Sequence, residues 1–145
     1  VDSAVVMISG HGDIDTAVIV LTFTNGTIGV IDNSRQAVYG YDQRLEIFGS
    51  KGMVKAENNT QDNVQAYTAT SEESSLPLHF FLERYEQAYR DCLSTFIDCI
   101  LEDKPSPVNL HDGLMATAIG IAAKKSLVEG RPVKMSEILT KAMVS

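Results

Sequence analysis

The chain has 145 residues, the length of one ordinary domain, and 44% of them are hydrophobic against 21% charged, enough apolar surface to offset the entropy of ordering. A net charge of -7 without clustered Lys and Arg excludes nucleic acid and an anionic membrane surface as partners. No apolar run reaches the ~18 residues that a spanning helix needs.

The start, Val1-Asp2-Ser3, has no initiating Met and no basic region before an apolar stretch, and reads as a fragment boundary rather than a secretory signal. Ala4 to Ile8 is strand-like. Thr16 to Thr24 alternates, with Ala17, Ile19, Leu21 and Phe23 pointing one way and Val18 and Val20, among threonines, the other. Asn25-Gly26 is a hairpin signal, both residues tolerating positive φ, and Thr27 to Ile31 is the returning strand. Further strands are expected over Gln43–Phe48 and Met53–Glu57, joined by the Gly49–Gly52 turn, and over Asn63–Thr70. Together they predict a mainly antiparallel sheet of five or six strands.

Thr70 to Pro77 reads as a polar loop. Phe81, Tyr85, Ala88, Tyr89, Cys92, Phe96, Cys99 and Ile100 then recur at steps of three and four, the apolar stripe of a helix that Pro105 and Pro107 stop. Asp112 is the expected N-cap of a second helix, Gly113 to Glu129, ended by Gly130 and Pro132. A short strand, Arg131 to Met135, and a short helix from Ser136 follow. Strands first and helices after predict an α+β fold, a mainly antiparallel open-faced sheet with helices packed on one face. The uncharged, β-branched Val18/Val20 face is suited to burial against a partner, an ordinary solvated Thr-rich sheet being the plain alternative.

Cys92 and Cys99, seven apart on one helix, stand roughly 10 Å apart, too far for a disulfide. Both lie on the apolar stripe and are expected to be buried, reduced thiols of a cytosolic protein. Cys and His show no metal-ligand spacing, and no nucleophile elbow or phosphate-cradling glycine loop occurs. Of the three histidines, His11 beside Asp13 could orient a ligand but reads as a solvated loop residue, His79 as packing or capping the first helix, and His111 as serving the turn beside Asp112. Residues 32–44 are different. They crowd hydrogen-bonding side chains between two strands, and Tyr39 and Tyr41 share a face if the segment is extended. Phenols donate, accept and offer a flat apolar ring, which suits a polyhydroxylated ligand; a decorated sheet edge is the plain alternative.

The run Asn33 to Gly52, containing Tyr39-Gly40-Tyr41-Asp42-Gln43-Arg44, resembles the inositol 2-dehydrogenase branch of the Gfo/Idh/MocA oxidoreductases. So do Gly12-Asp13-Ile14-Asp15-Thr16-Ala17, Phe80-Phe81-Leu82-Glu83-Arg84-Tyr85, Asp112-Gly113-Leu114 and Gly130-Arg131-Pro132-Val133, in family order and spacing. The resemblance implies that residues 1–145 are the C-terminal substrate-side and oligomerisation domain of an NAD-dependent cytoplasmic enzyme whose N-terminal Rossmann domain is absent from this chain. It implies Tyr41 and Tyr85 as contacts to an inositol-like polyol and homo-oligomers formed through the open sheet face. The family's Glu-Lys-Pro motif, its Asp and His four apart and its dinucleotide fingerprint do not occur here, so the chain is expected to carry no catalytic residue, cofactor-binding residue or metal and to be inactive alone. The alternatives are a non-catalytic interaction or sensor domain derived from such an enzyme, or a domain of another sugar dehydrogenase of the superfamily.

Overall fold

The structure, a computed structural model, describes residues 3–9, in their backbone, and 14–139. His11 and Asp13 lie outside the described residues. The described residues gather into two compact units, one drawn from Val1–Gln36 and Ser106–Ser145, the other from Ala37–Pro105.

The first unit is built on a four-stranded antiparallel sheet in the order β3-β2-β1-β8, with β1 Ser3–Ser9, β2 Thr16–Thr22, β3 Ile28–Ser34 and β8 Val133–Lys134. Alternation along β2 decides its two faces. Ala17 and Leu21 are buried, whereas Val20 is 37% exposed. Leu21 pairs with Ala4, and Ala4 pairs with Val133, and Leu21 and Val133 are both buried on the covered face. The helix α2, Leu110–Glu129, lies on that face, where Val133 and Met135 form a core with Ala118 and Ala122. Alanines at this spacing bring the helix axis close to the sheet.

The Gly130-Arg131-Pro132-Val133 run has a structural meaning at three of its positions. Gly130 takes the left-handed conformation that ends α2, φ 62°. Arg131 forks onto Glu137, Nη1 to Oε1 at 3.0 Å and Nη2 to Oε2 at 2.7 Å, and Lys125 donates to the same carboxylate at 2.9 Å. Val133 is fully buried. Glu137 closes η1, the 3-10 turn Met135–Glu137, and the Arg131 and Lys125 hydrogen bonds hold its carboxyl well below the usual carboxylate range.

The turn between β2 and β3 differs from the expected two-residue hairpin. Phe23 N–H donates to Thr27 O and Gly26 N–H to Phe23 O, both at 2.9 Å, leaving a three-residue loop. Only Gly26, φ 85°, takes positive φ; Asn25 instead accepts the Thr27 N–H on its side chain at 3.0 Å. The N-cap of α2 is Asn109 rather than Asp112. Asn109 Oδ1 accepts from the N–H groups of His111 and Asp112, and Asp112 reaches back to Asn109 N–H, a capping box that lengthens the helix by one turn.

The second unit carries two hairpins and one long helix. The pair β4, Leu45–Gly49, and β5, Gly52–Ala56, turns where expected. The pair β6, Gln65–Tyr67, and β7, Glu72–Ser74, replaces the single expected strand Asn63–Thr70, because Thr68 N–H donates to Ser71 O and folds the chain back. Neither pair is hydrogen-bonded into the four-stranded sheet, so the described strands form three sheets rather than one of five or six. The helix α1 spans Phe81–Leu101 and ends as Asp103 enters the left-handed region, φ 51°, ahead of Pro105. It has no buried residue. The expectation of two buried thiols is therefore corrected: Cys92 is exposed and Cys99 half-buried, because no element of this unit covers the stripe.

Ala122→Leu, forced between α2 and the sheet, is expected to destabilise the protein by about 1–3 kcal/mol. Gly120→Ala, in open space on the same helix, is expected to stabilise it by about 0.5–1 kcal/mol. Urea unfolding of the two variants checks both signs.

Candidate functional site

The second unit brings the two candidate tyrosines together. Residues 37–44 are not extended: Val38 and Tyr39 form a turn, and Gly40 follows at φ 138°. A Cβ on Gly40 would stand 2.7 Å from Pro77 O and 3.2 Å from Leu78 O, so both conformation and space demand glycine. The close approach is fastened by Tyr41 N–H donating to Leu78 O at 2.8 Å and Leu78 N–H to Asn59 O at 3.0 Å.

The turn undoes the parity of Tyr39 and Tyr41. Tyr39 hydroxyl donates to Asp42 Oδ2 at 2.5 Å. Tyr41 instead packs edge-on against Tyr85, ring centroids 5.5 Å apart and planes at 80°. Tyr85 also meets Tyr89 edge-on at 6.1 Å, and the Arg84 guanidinium stands 5.8 Å from the Tyr85 ring centre. The neighbouring Tyr41 phenol, then burial, raises the Tyr85 phenol above its ordinary value.

Asp42 is the hub. Its carboxylate accepts from Arg44 Nε and Nη2, both at 2.8 Å, from Tyr39 and from Asn58 Nδ2 at 2.6 Å. These donors, Arg44 foremost, hold the Asp42 carboxyl well below the usual carboxylate range. The bond to Asp42 in turn raises the Tyr39 phenol. Asn58 Oδ1 accepts from Gln43 N–H at 2.7 Å, and Gln43 Oε1 accepts from the Tyr85 hydroxyl at 2.5 Å.

Sequence reading missed Asn58 and Gln43, although the signal existed. The β4–β5 register pairs Leu45 with Ala56, and two further residues outward it sets Gln43 beside Asn58. His79 donates its backbone N–H to Glu83 at the start of α1, and His111 lies in the first turn of α2 with its N–H on Asn109; both serve helix ends. His79 also lines, with Val38, Tyr39, Gly40 and Pro77, a hollow of about 370 Å³.

An antiparallel open sheet covered by a helix, with a cluster of phenols in the second unit, defines an α+β domain with a polar aromatic surface. The chain belongs to the oxidoreductase family, C-terminal alpha/beta domain, whose model matches residues 4–135. It is 51% identical over 128 residues to myo-inositol 2-dehydrogenase of Thermotoga maritima, covering 88% of this chain and 38% of that protein. It is 38% identical to inositol 2-dehydrogenase of Rhizobium meliloti, covering 89% and 39%. Among solved structures, the myo-inositol dehydrogenase of Corynebacterium glutamicum superposes with a TM-score of 0.84 at 34% identity, over 92% of this chain and 43% of that one. The chain thus spans well under half the length of these relatives.

Among the described residues, none forms a cradle that fits a dinucleotide. The positive-φ glycines Gly26, Gly40, Gly52 and Gly130 sit in turns or at a helix end, and the α2 N-terminus is closed by its own capping box. Among the described residues no helix is long and apolar enough to cross a membrane.

Because the Asp42 carboxyl is depressed in the folded chain, its contribution is fully present above the ordinary value of 3.8 and is lost as pH falls through the folded value. Asp42→Asn should lower Tm at pH 7, and the gap to the unsubstituted protein should narrow below about pH 4. Thermal melts of both proteins from pH 7 to 3 check this.

Proposed function

We propose that the full-length protein is an NAD-dependent dehydrogenase that oxidises one ring hydroxyl of an inositol-type cyclitol to a ketone, and that this chain is its substrate-side and association domain. The Tyr41–Tyr85 pair is the observation that carries the reading. Two phenols, edge to face, offer hydroxyls to ring oxygens and apolar ring surface to the C–H groups between them. Relatives named as inositol dehydrogenases support the choice of polyol. The cytoplasm is the setting this reading assumes. NAD binding and proton removal fall to the rest of the full-length protein, and no step through NAD is assigned to this chain.

In the full-length enzyme, Tyr41→Phe and Tyr85→Phe should each lower kcat/KM for inositol several-fold, a neutral hydrogen bond being worth about 0.5–1.5 kcal/mol. Tyr39→Phe is the control, because its ring lies outside the Tyr41–Tyr85 pair and its hydroxyl donates to Asp42. NAD affinity should stay unchanged in all three. Steady-state kinetics in which only Tyr39→Phe is damaging, or none of the three is, would remove the substrate assignment.

The second role rests on the open sheet face. Val20 pairs with Val30, and Thr22 with Ile28; Val30 is 63% and Ile28 68% exposed, so an apolar band runs across β2 and β3. A second copy of the protein is its proposed cover. Val18→Lys with Val20→Lys sets charges on that face, the first opposite Asp32 and the second opposite Val30, where it has no counter-charge. Sedimentation of the full-length variant should show a smaller species than the unsubstituted protein, and an unchanged size would remove the association role.

A further inference from the structure

We infer that Gln43 is a positioning residue that makes the Tyr85 hydroxyl an acceptor toward the substrate, an inference that rests on Tyr85 being a substrate contact. A phenol has one proton and two acceptor sites. In this structure that proton lies on Gln43 Oε1, so what Tyr85 can still offer to a ligand is its oxygen lone pair. The ring oxygen facing it must then carry a hydrogen to donate. A hydroxyl meets that condition, and a carbonyl does not. Tyr85 therefore favours a ring position that remains a hydroxyl, and the position that becomes the ketone lies elsewhere on the ring.

The place of the Gln43 main chain is set from Asp42 outward. An ionised carboxylate accepts only, so Asn58 must turn Nδ2 toward Asp42, 2.6 Å away. That leaves Asn58 Oδ1 to accept Gln43 N–H at 2.7 Å. The main chain of Gln43 is thereby held beside Tyr85, within reach of a residue 42 positions further along the sequence. The hub acts on Tyr85 through Gln43.

The test uses the full-length protein with myo-inositol and NAD. Gln43→Met keeps the length and removes the amide acceptor, and Gln43→Glu keeps an acceptor at the same place. Gln43→Met is expected to raise KM for myo-inositol roughly five- to tenfold with KM for NAD and kcat little changed. Gln43→Glu should restore KM to within about twofold. The double variant Gln43→Met/Tyr85→Phe should be no worse than Tyr85→Phe alone, since both remove one coupled unit. Carbon-13 NMR of ring-labelled tyrosine adds a readout independent of turnover: losing the acceptor should make the Tyr85 phenol titrate at lower pH. If Tyr85→Phe impairs turnover but Gln43→Met is silent, or its loss adds in full to that of Tyr85→Phe, the positioning role is overturned and the substrate reading stands. An unshifted Tyr85 titration in Gln43→Met overturns it as well. If Tyr85→Phe itself is silent, the substrate reading falls and the positioning role falls with it.

Discussion

A carboxylate that can only accept hydrogen bonds organises the second unit. Asp42 draws in Arg44 from two residues away, Tyr39 from three and Asn58 from sixteen. The first two contacts curl residues 39–44 into a compact loop. The third ties that loop to the end of the β4–β5 hairpin. Without an anion at this point, the Tyr39 hydroxyl, the Asn58 amide and the Arg44 guanidinium would have no common partner, and the orientation of Gln43 would be undetermined. Gly40 makes the arrangement sterically possible, since any side chain there would collide with the Pro77 carbonyl.

The first unit works on a different principle, close packing of small residues. Ala118, Ala122 and Ala123 let α2 settle on the sheet, and Ser126 joins them by donating its hydroxyl to Arg131 O at 2.7 Å. The ion cluster of Lys125, Arg131 and Glu137 then fixes the turn after β8, where half-exposed side chains limit its energetic weight. The opposite sheet face carries β-branched residues that no described residue buries, which is why the two faces of one sheet read so differently. One face stabilises the chain, and the other is left exposed.

The α1 helix shows where periodicity misleads. Its apolar residues recur as an amphipathic helix requires, and the helix forms over the expected span. Yet Leu93, Phe96, Ile97, Ile100 and Leu101 are all exposed, and Cys92 with them. A hydrophobic stripe states that a face is suited to burial. Burial itself requires a second surface, and none of the described elements buries a residue of α1.

Local pattern was enough for much of the fold. The alternation of Thr16–Thr22, the glycines at the β4–β5 turn, the helical spacing from Phe81 and the left-handed Gly130 all depend on neighbours a few residues away, so the sequence by itself determined them. The motif run around Tyr41 likewise pointed to the family that the comparisons bear out. The N-cap of α2 was missed by three residues, because Asn109 and Asp112 are both good caps and only the reciprocal geometry of the box tells which is which. Only the tertiary structure decided that Tyr41 meets Tyr85, that Asn58 returns beside Gln43, and that Tyr39 turns away to Asp42. The reason is separation along the chain: those contacts join residues up to 44 apart, and their existence depends on hairpin register and on one tight glycine passage, which no local propensity encodes.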